Sequence, residues 1–301
     1  MKYLNSSRNG VLNIYKEKGY TSFDVVALVR KYTGAKAGHT GTLDPDAEGA
    51  LPVCLGKATK LCDHLVGKSK EYIAGITLGV VTDTQDASGK VLERRAVTCV
   101  ESDIRAVLSS FPPGYDQIPP MYSAIKVKGQ RLYDLARNGQ EIERKARWVE
   151  ITSIELLEYG ADRFRIKVGC SKGTYIRALA ADIGGKLGCG AHMDSLVRTR
   201  VGEFCIENSL KLNEVSQLAQ NGDFSGALIS MEDALSEYKR IVVSSNAQKY
   251  LENGNVIGEK FIRPVPRLNI GEKTLLFSED GRLFGIYVFT AEGFKPETML
   301  I

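Results

Sequence analysis

The sequence predicts an α/β domain followed by a small β-rich domain. Three observations carry this. Segments 148–157 and 164–170 hold β-branched and apolar residues in alternation, the pattern of strands with one buried face. Two other segments repeat apolar residues at helical spacing: Val25, Leu28 and Val29, then Ile176, Leu179, Ala180, Ile183 and Leu187. From Arg240 onward the pattern changes to short strand-like runs, 274–277 and 283–289, around the turn Ser278-Glu279-Asp280-Gly281.

The elements follow in order. Residues 10–15 read as a short strand, and Lys16-Glu17-Lys18-Gly19 as a turn. Thr21 or Ser22 caps the first helix, with Asp24 completing a capping box, and the helix ends near Gly34. A glycine-rich stretch runs from Gly38 to Gly56, and a further strand is expected at 72–78. Residues 111–147 are proline-rich and then basic; they read as an insertion on one side of the sheet, the kind of loop that carries binding. Lys172-Gly173-Thr174 turns the chain into the helix that ends at Gly188, and residues 208–237 read as linker helices. The boundaries expected are 1–237 for the first domain and 238–301 for the second.

Composition narrows the function classes. Hydrophobic residues make up 43% and charged residues 25% of the 301, the balance of a soluble globular enzyme. The net charge is only +4, which permits a nucleic-acid partner without demanding one. Its distribution says more: between Arg163 and Arg200 eight Lys/Arg face two acids, and the first 70 residues hold eleven Lys/Arg against six. A basic face is expected there, although a solvated surface would give the same counts. The six cysteines form no Cys-x-x-Cys pair and have no histidine at ligand spacing, which argues against zinc ribbons and redox motifs. The polar start lacks an apolar leader, and no apolar run approaches the length of a membrane span. Reduced thiols in a cytoplasmic protein are the expectation.

The densest unusual segment is Ala37-Gly38-His39-Thr40-Gly41-Thr42-Leu43-Asp44-Pro45-Asp46-Ala47-Glu48-Gly49. Glycines there allow close approach of the backbone to a ligand. Pro45 keeps Asp44 out of helical geometry and so presents its carboxylate at a fixed angle. Read from chemistry alone, an Asx-turn that simply caps the next element explains the segment equally well. The segment lacks the glycine spacing of either common phosphate-binding loop.

The segment does not stand alone. Gly38-His39-Thr40-Gly41-x-Leu43-Asp44-Pro45 is followed by Gly49-x-Leu51-Pro52-Val53-x-Leu55-Gly56-x-Ala58-Thr59-Lys60. Then come Tyr72, Thr82-Asp83-Thr84-x-Asp86 and Pro119-x-Met121-Tyr122-Ser123-Ala124-Ile125-Lys126. Cys170-Ser171-Lys172-Gly173-Thr174-Tyr175-Ile176-Arg177 and Leu187-Gly188-Cys189-Gly190-Ala191-His192 follow, with Leu196 and Arg198 at the end. In order and spacing these blocks resemble the signature of the TruB family, the bacterial tRNA pseudouridine-55 synthases, from about residue 10 to 200. One departure stands near the first strand, where the family has Asp-Lys-Pro and this chain has Tyr15-Lys16-Glu17.

The resemblance implies a mixed, largely antiparallel sheet and a small PUA-like RNA-binding domain at the C-terminus. It implies an isomerase that converts uridine to pseudouridine in the T-arm loop of tRNA, with no cofactor, no metal and no obligate protein partner. Asp44 is then the essential carboxylate, acting either as nucleophile or as a base on the sugar. Arg177 pairs with it, and Tyr72 lies against the target base with its hydroxyl available for proton transfer. His39 meets the flipped-out nucleotide, while Tyr175 and Leu196 contact the base. Lys16 and Lys60 carry over as substrate-binding residues. Lys126, Lys128 and Arg131 in the insertion, with Lys57 and Lys60, are candidates for RNA phosphates, though each could be an ordinary surface cation. Without the resemblance, Arg177 would read as a surface arginine, and Tyr72 and Leu196 as core.

The rivals are a non-catalytic RNA-binding protein, which would need Asp44 replaced, and a synthase guided by a separate RNA and partner proteins. A carboxylate-dependent glycosidase would pair Asp44 with Asp46 or Glu48 but leave the other blocks unexplained.

Overall fold

The computed structural model describes residues 8–123, 125–127, 129–264 and 267–301. The chain opens with strand β1 (Gly10–Lys16) and helix α1 (Ser22–Thr33), then strands β2 (Ala37–His39) and β3 (Glu48–Leu55). Helix α2 (Cys62–Val66), strand β4 (Lys70–Leu78) and the hairpin β5 (Val80–Thr82) with β6 (Val91–Arg94) follow. Next come helix α3 (Glu101–Ser109), strand β7 (Gly114–Gln117), the short strands β8 (Lys126–Val127) and β9 (Gln130–Arg131), and helix α4 (Leu132–Arg137). Strands β10 (Arg147–Tyr159) and β11 (Arg163–Cys170) lead to helix α5 (Ile176–Lys186), strands β12 (Ala191–Val201) and β13 (Phe204–Cys205) and helix α6 (Leu212–Asn221). The C-terminal part holds β14 (Lys239–Val243), helix α7 (Gln248–Glu252), β15 (Lys273–Ser278), β16 (Leu283–Thr290) and β17 (Gly293–Met299).

One nine-stranded sheet organises the first part, in the order β1-β3-β12-β4-β11-β10-β7, with β2 on β3 and β13 on β12. Only the β3–β12 pairing in it is parallel, so the expected mixed, largely antiparallel sheet is what forms. That parallel contact depends on Gly49: its φ is +109°, and a Cβ there would lie 2.2 Å from the Arg198 carbonyl oxygen. Helices α3 and α5 cover one part of the sheet over a core that includes Ile76, Phe164, Ile166 and Leu179. Helices α1 and α6 cover β1 and β3 over Leu12, Val25, Leu51 and Val215.

Helix α1 starts where its capping box places it. Thr21 Oγ1 accepts from the Asp24 amide (3.0 Å) and Asp24 Oδ2 accepts from the Thr21 amide (2.8 Å), with left-handed Gly34 at the C-terminus.

Four expectations need correction. The stretch 38–56, expected only to be glycine-rich, holds a strand in its second half: β3, buried almost throughout. The insertion starts later than 111, because β7 is the edge strand of the main sheet, paired with β10. What projects from the sheet is the hairpin and α4, around their own small core of Met121, Leu132 and Leu135. The segment 208–237 is not a run of linker helices. It contains one α-helix, α6, and it is tied to β1 by bridges from Leu210 to Ile14 and from Ile229 to Val11. Finally β12, a central strand, was not expected as a strand at all.

In the C-terminal part, β14 runs parallel to β15, and β15, β16 and β17 are antiparallel. Its own core contains Val243, Leu276, Phe284 and Phe294. A second cluster joins Leu275, Phe277, Ile286 and Leu300 to Leu61, Leu65 and Phe204, so the small β domain packs against the first through continuous apolar contact. No helix among the described residues is long and apolar enough to cross a membrane.

Candidate active site

Asp44 lies in the connection from β2 to β3, and the backbone of that connection is held from several sides. Ser22 Oγ donates to the Leu43 carbonyl (3.1 Å) and accepts from the Leu43 amide (2.9 Å). The Lys16 ammonium donates to the carbonyls of Pro45 (3.0 Å), Ala47 (2.6 Å) and Glu17 (3.3 Å). Arg198 donates from Nε to the Ala50 carbonyl (2.8 Å) and from Nη2 to the Gly41 carbonyl (3.1 Å). A turn closes on itself where the Ala47 amide meets the Asp44 carbonyl (3.1 Å). Polar side chains thus replace water as partners for loop carbonyls, which fixes the path of a segment with little regular structure of its own.

Arg177 sits in the first turn of α5 and reaches Asp44 with two nitrogens: Nε to Oδ2 at 3.0 Å and Nη2 to Oδ1 at 3.4 Å. The same guanidinium binds Asp86 (3.4 Å) and the carbonyls of Thr84 (3.2 Å) and Tyr122 (2.9 Å). Its side chain is almost wholly buried, while that of Asp44 stays 42% exposed. Withdrawal from water raises the Asp44 carboxyl above its ordinary value; Arg177 works against that rise, and the Asp86 charge adds to it.

The start of α5 is set from the sheet edge. Gln117 on β7 accepts from the Tyr175 amide with Oε1 (2.8 Å) and donates to the Tyr175 carbonyl with Nε2 (3.1 Å). An amide side chain therefore caps the helix that delivers Arg177.

Two adjoining cavities, of about 420 and 540 Å³, meet at this ion pair. Both are lined by Asp44, Arg177, Leu196, Tyr122 and Tyr133. The smaller one also takes in Tyr72, Tyr175, Arg198 and the turn from Ser171 to Thr174. Tyr72 on β4 is paired in register with Arg198 on β12, and Leu196 lies two residues away on the same face. Burial raises the Tyr72 phenol, and the Arg198 guanidinium pulls it back. Tyr122 and Tyr133 come from the projecting insertion, which therefore forms one wall of the cavities.

Asp44, Tyr72, Arg177, Tyr175 and Leu196 are thus brought together, and the other candidates are not. His39 stands at the end of β2, outside both cavity linings; its Nδ1 accepts from the Gly41 amide (3.2 Å), and its ring meets Phe23 edge-on at 5.9 Å. Lys16 is fully buried with its ammonium on three carbonyls, so it supports the Asp44 loop and cannot reach a substrate; burial lowers its pKa to about 8. Lys60 donates to the Met299 carbonyl (2.7 Å), beside a His64–Thr298 contact (2.9 Å), and so links the two domains. Lys57 and Lys126 are exposed, and Lys126 belongs to the β8–β9 hairpin away from Asp44. Lys128 lies outside the described residues.

Sequence reasoning gave no role to Arg198, Asp86, Gln117, Lys70 or Ser123. Arg198 and Asp86 stand inside quoted motif blocks, so the signal was there without a function attached. Lys16, Lys70 and Arg198 are three buried cations that make no ion pair among the described residues and donate instead to carbonyls. Among the described residues no cluster of His, Cys, Asp and Glu is arranged to hold a metal ion.

Comparison with known proteins decides the family. The model of the TruB family pseudouridylate synthase N-terminal domain matches residues 29–176, and that of the tRNA pseudouridylate synthase B C-terminal domain matches 177–237. The chain belongs to the TruB family. It is similar to the tRNA pseudouridine synthase B of Clostridium novyi, 45% identical over 97% of this chain and 100% of that one. The Clostridium tetani protein of the same name is 44% identical over 97% and 100%. In structure it resembles a chain of an H/ACA ribonucleoprotein bound to a substrate RNA containing 2'-deoxyuridine, with TM-score 0.76, 25% identity and coverage of 98% and 86%. The family is one of isomerases, and this chain is a pseudouridine synthase. A carboxyl group paired with an arginine at the wall of a cavity large enough for a nucleoside is compatible with that chemistry.

Proposed function

We propose that this chain isomerises the uridine at position 55, in the T-arm loop of tRNA, and that Asp44 is its essential carboxylate. The observation that carries the reading is the Asp44–Arg177 pair at the junction of two cavities that also take in Tyr72 and Leu196. The names of the relatives, tRNA pseudouridine synthase B, support tRNA as the substrate.

The reaction breaks the bond from N1 of uracil to the ribose, turns the base and rejoins it through C5. Every atom of the product comes from the substrate, so the chemistry needs no cofactor. Asp44 either attacks the anomeric carbon or removes a sugar proton. Both routes require an ionised carboxylate in a fixed direction, which Arg177 provides. Tyr72 packs against the base, and its hydroxyl serves proton transfer when hydrogen leaves C5. Leu196 and Tyr175 complete the base contacts.

A uridine stacked in an RNA loop must be extruded first, at a cost of a few kcal/mol. His39, outside the two cavities and next to exposed Phe23, is assigned to meeting the nucleotide on its way out of the stack. Lys126, Lys128 and Arg131 of the insertion meet RNA phosphates and help offset that cost. The small C-terminal domain is PUA-like and adds RNA contact. No protein partner is required, and the six free thiols suit the cytoplasm.

The test is an unmodified T-arm hairpin mixed with purified protein, with pseudouridine mapped by position. Conversion at the uridine of position 55 supports the reading. A hairpin that stays unmodified while intact tRNA reacts would show that recognition extends beyond the arm, and modification of neither would overturn the substrate.

A further inference from the structure

Five buried side-chain polar atoms among the described residues have no hydrogen-bond partner: Asn13 Oδ1, Thr40 Oγ1, Gln85 Oε1, Ser123 Oγ and Arg144 Nε. Ser123 alone of these lines a cavity at Asp44. Both of its backbone groups are occupied: its amide donates to the Met121 carbonyl (2.9 Å) and its carbonyl accepts from the Tyr133 amide (3.0 Å). Only the hydroxyl is left over. A buried hydroxyl without a partner is unfavourable in a protein interior, and such a group in a binding cavity points to a ligand atom that completes it.

We propose that the Ser123 hydroxyl binds the ribose of the target nucleotide, at its 2'-hydroxyl. The inference rests on the function proposed above. Its direction comes from Arg177. That one guanidinium holds the Asp44 carboxylate and the Tyr122 carbonyl, so the backbone leading into Ser123, the next residue and part of the same cavity lining, is tied to Asp44 through Arg177. Asp44 acts on the sugar by either route, whereas Tyr72 and Leu196 come from the sheet and face the base. The sugar therefore lies between Asp44 and the segment carrying Ser123. A serine hydroxyl both donates and accepts, and so does a ribose hydroxyl, so the two satisfy each other in either direction. Carbon-linked and nitrogen-linked nucleosides share this sugar, so the contact persists from substrate to product.

The experiment is a binding cycle in the Asp44→Asn background, which stops turnover. The T-arm hairpin is offered with either ribose or 2'-deoxyribose at the target uridine, to protein with Ser123 or with Ser123→Ala. A neutral hydrogen bond contributes about 0.5–1.5 kcal/mol, equivalent to roughly 2- to 10-fold in Kd. Ser123→Ala is therefore expected to weaken the ribose hairpin by roughly that factor and to leave the deoxyribose hairpin unchanged. Its thermal midpoint without RNA should not fall, since the hydroxyl makes no bond within the protein. Equal weakening of both hairpins, no weakening of either, or a lowered midpoint would each overturn the proposal. Turnover by the wild-type chain on the ribose hairpin is read in parallel. Its absence would be a failure of the proposed function; its presence without the sugar-specific loss is a failure of the Ser123 contact alone.

Discussion

Arg177 grips Asp44 along both carboxylate oxygens, with Nε 3.0 Å from Oδ2 and Nη2 3.4 Å from Oδ1, while its remaining donors bind Asp86 and two carbonyls. The arginine is thereby fixed before it touches Asp44, and the carboxylate inherits that orientation. Arg177→Ala is expected to slow single-turnover isomerisation more than it weakens RNA binding. A hydrogen bond to a charged group is worth about 1.5–3 kcal/mol, or roughly 10- to 100-fold in rate. The lower end applies here, since Asp44 keeps 42% of its side-chain surface and water screens part of the loss. A normal rate at saturating RNA, with weaker binding and a flatter salt dependence, would make Arg177 a phosphate contact instead.

The pH dependence follows from the same pair. Burial raises the Asp44 carboxyl above the ordinary value of about 3.9, and in the proposed reaction it is the ionised form that acts. The rate should therefore rise with pH through that raised value, giving an acid limb above the range of a free carboxylate. Arg177 favours the charged form, so Arg177→Ala should move the limb to higher pH. Asp86 disfavours it, so Asp86→Asn should move the limb to lower pH. Single-turnover pH profiles of the three proteins check the order; a limb that does not move in either variant would remove Asp44 as the titrating group.

Much of this site was legible in the sequence because its residues sit in short, distinctive blocks. Of the candidates the resemblance and the charge pattern supply, the fold brings Asp44, Tyr72, Arg177, Tyr175 and Leu196 around one cavity and leaves His39, Lys16, Lys60 and Lys126 outside its lining. The capped helix α1 and the strands β10, β11, β15 and β16 were readable from local pattern, because their buried faces repeat at the period of the element. Strand β12 was not. Its central position puts Arg198 in the interior, next to Tyr72, where an alternation rule expects an apolar residue. Lys16 reads as a substrate contact for a related reason: two of its three carbonyl partners, Pro45 and Ala47, belong to a loop distant in sequence, and a sequence does not reveal which carbonyls a fold leaves without partners. Gln117 lay inside a segment read as insertion, so its place on the sheet edge was hidden.

Lys16 now has a structural role that can be measured. Its removal takes the short buried contact from the Ala47 carbonyl, while the Pro45 carbonyl keeps the Gly19 amide; one orphaned buried acceptor costs about 1–3 kcal/mol. Lys16→Met should lower stability by about that amount and reduce the maximal rate more than it affects RNA binding. The sign with pH is defined. The folded value of about 8 lies below the unfolded value near 10.4, so the unfolded chain holds the extra proton between them. The pH-linked part of the Lys16 contribution is thus fully present above the unfolded value and lost as pH falls through about 8, where the hydrogen bonds of the ammonium remain. The gap between wild type and Lys16→Met should widen from pH 8 upward. Denaturant unfolding at several pH values checks this, and a gap that narrows would contradict it.

Activity is expected to survive excess chelator on the isolated hairpin, because the isomerisation moves one bond and requires no external group. The hairpin avoids the magnesium needed by full tRNA structure. Loss of activity with rescue by one specific divalent ion would contradict the cofactor-free mechanism.

The most direct measurement is pseudouridine mapping on tRNA treated with wild-type protein and with Asp44→Asn, at matched RNA occupancy. The substitution keeps the shape of the side chain and removes its charge. The wild type should convert the T-arm uridine, and Asp44→Asn should bind the RNA and convert none of it. Conversion by an Asp44→Asn preparation free of deamidated protein would contradict the central role of that carboxylate.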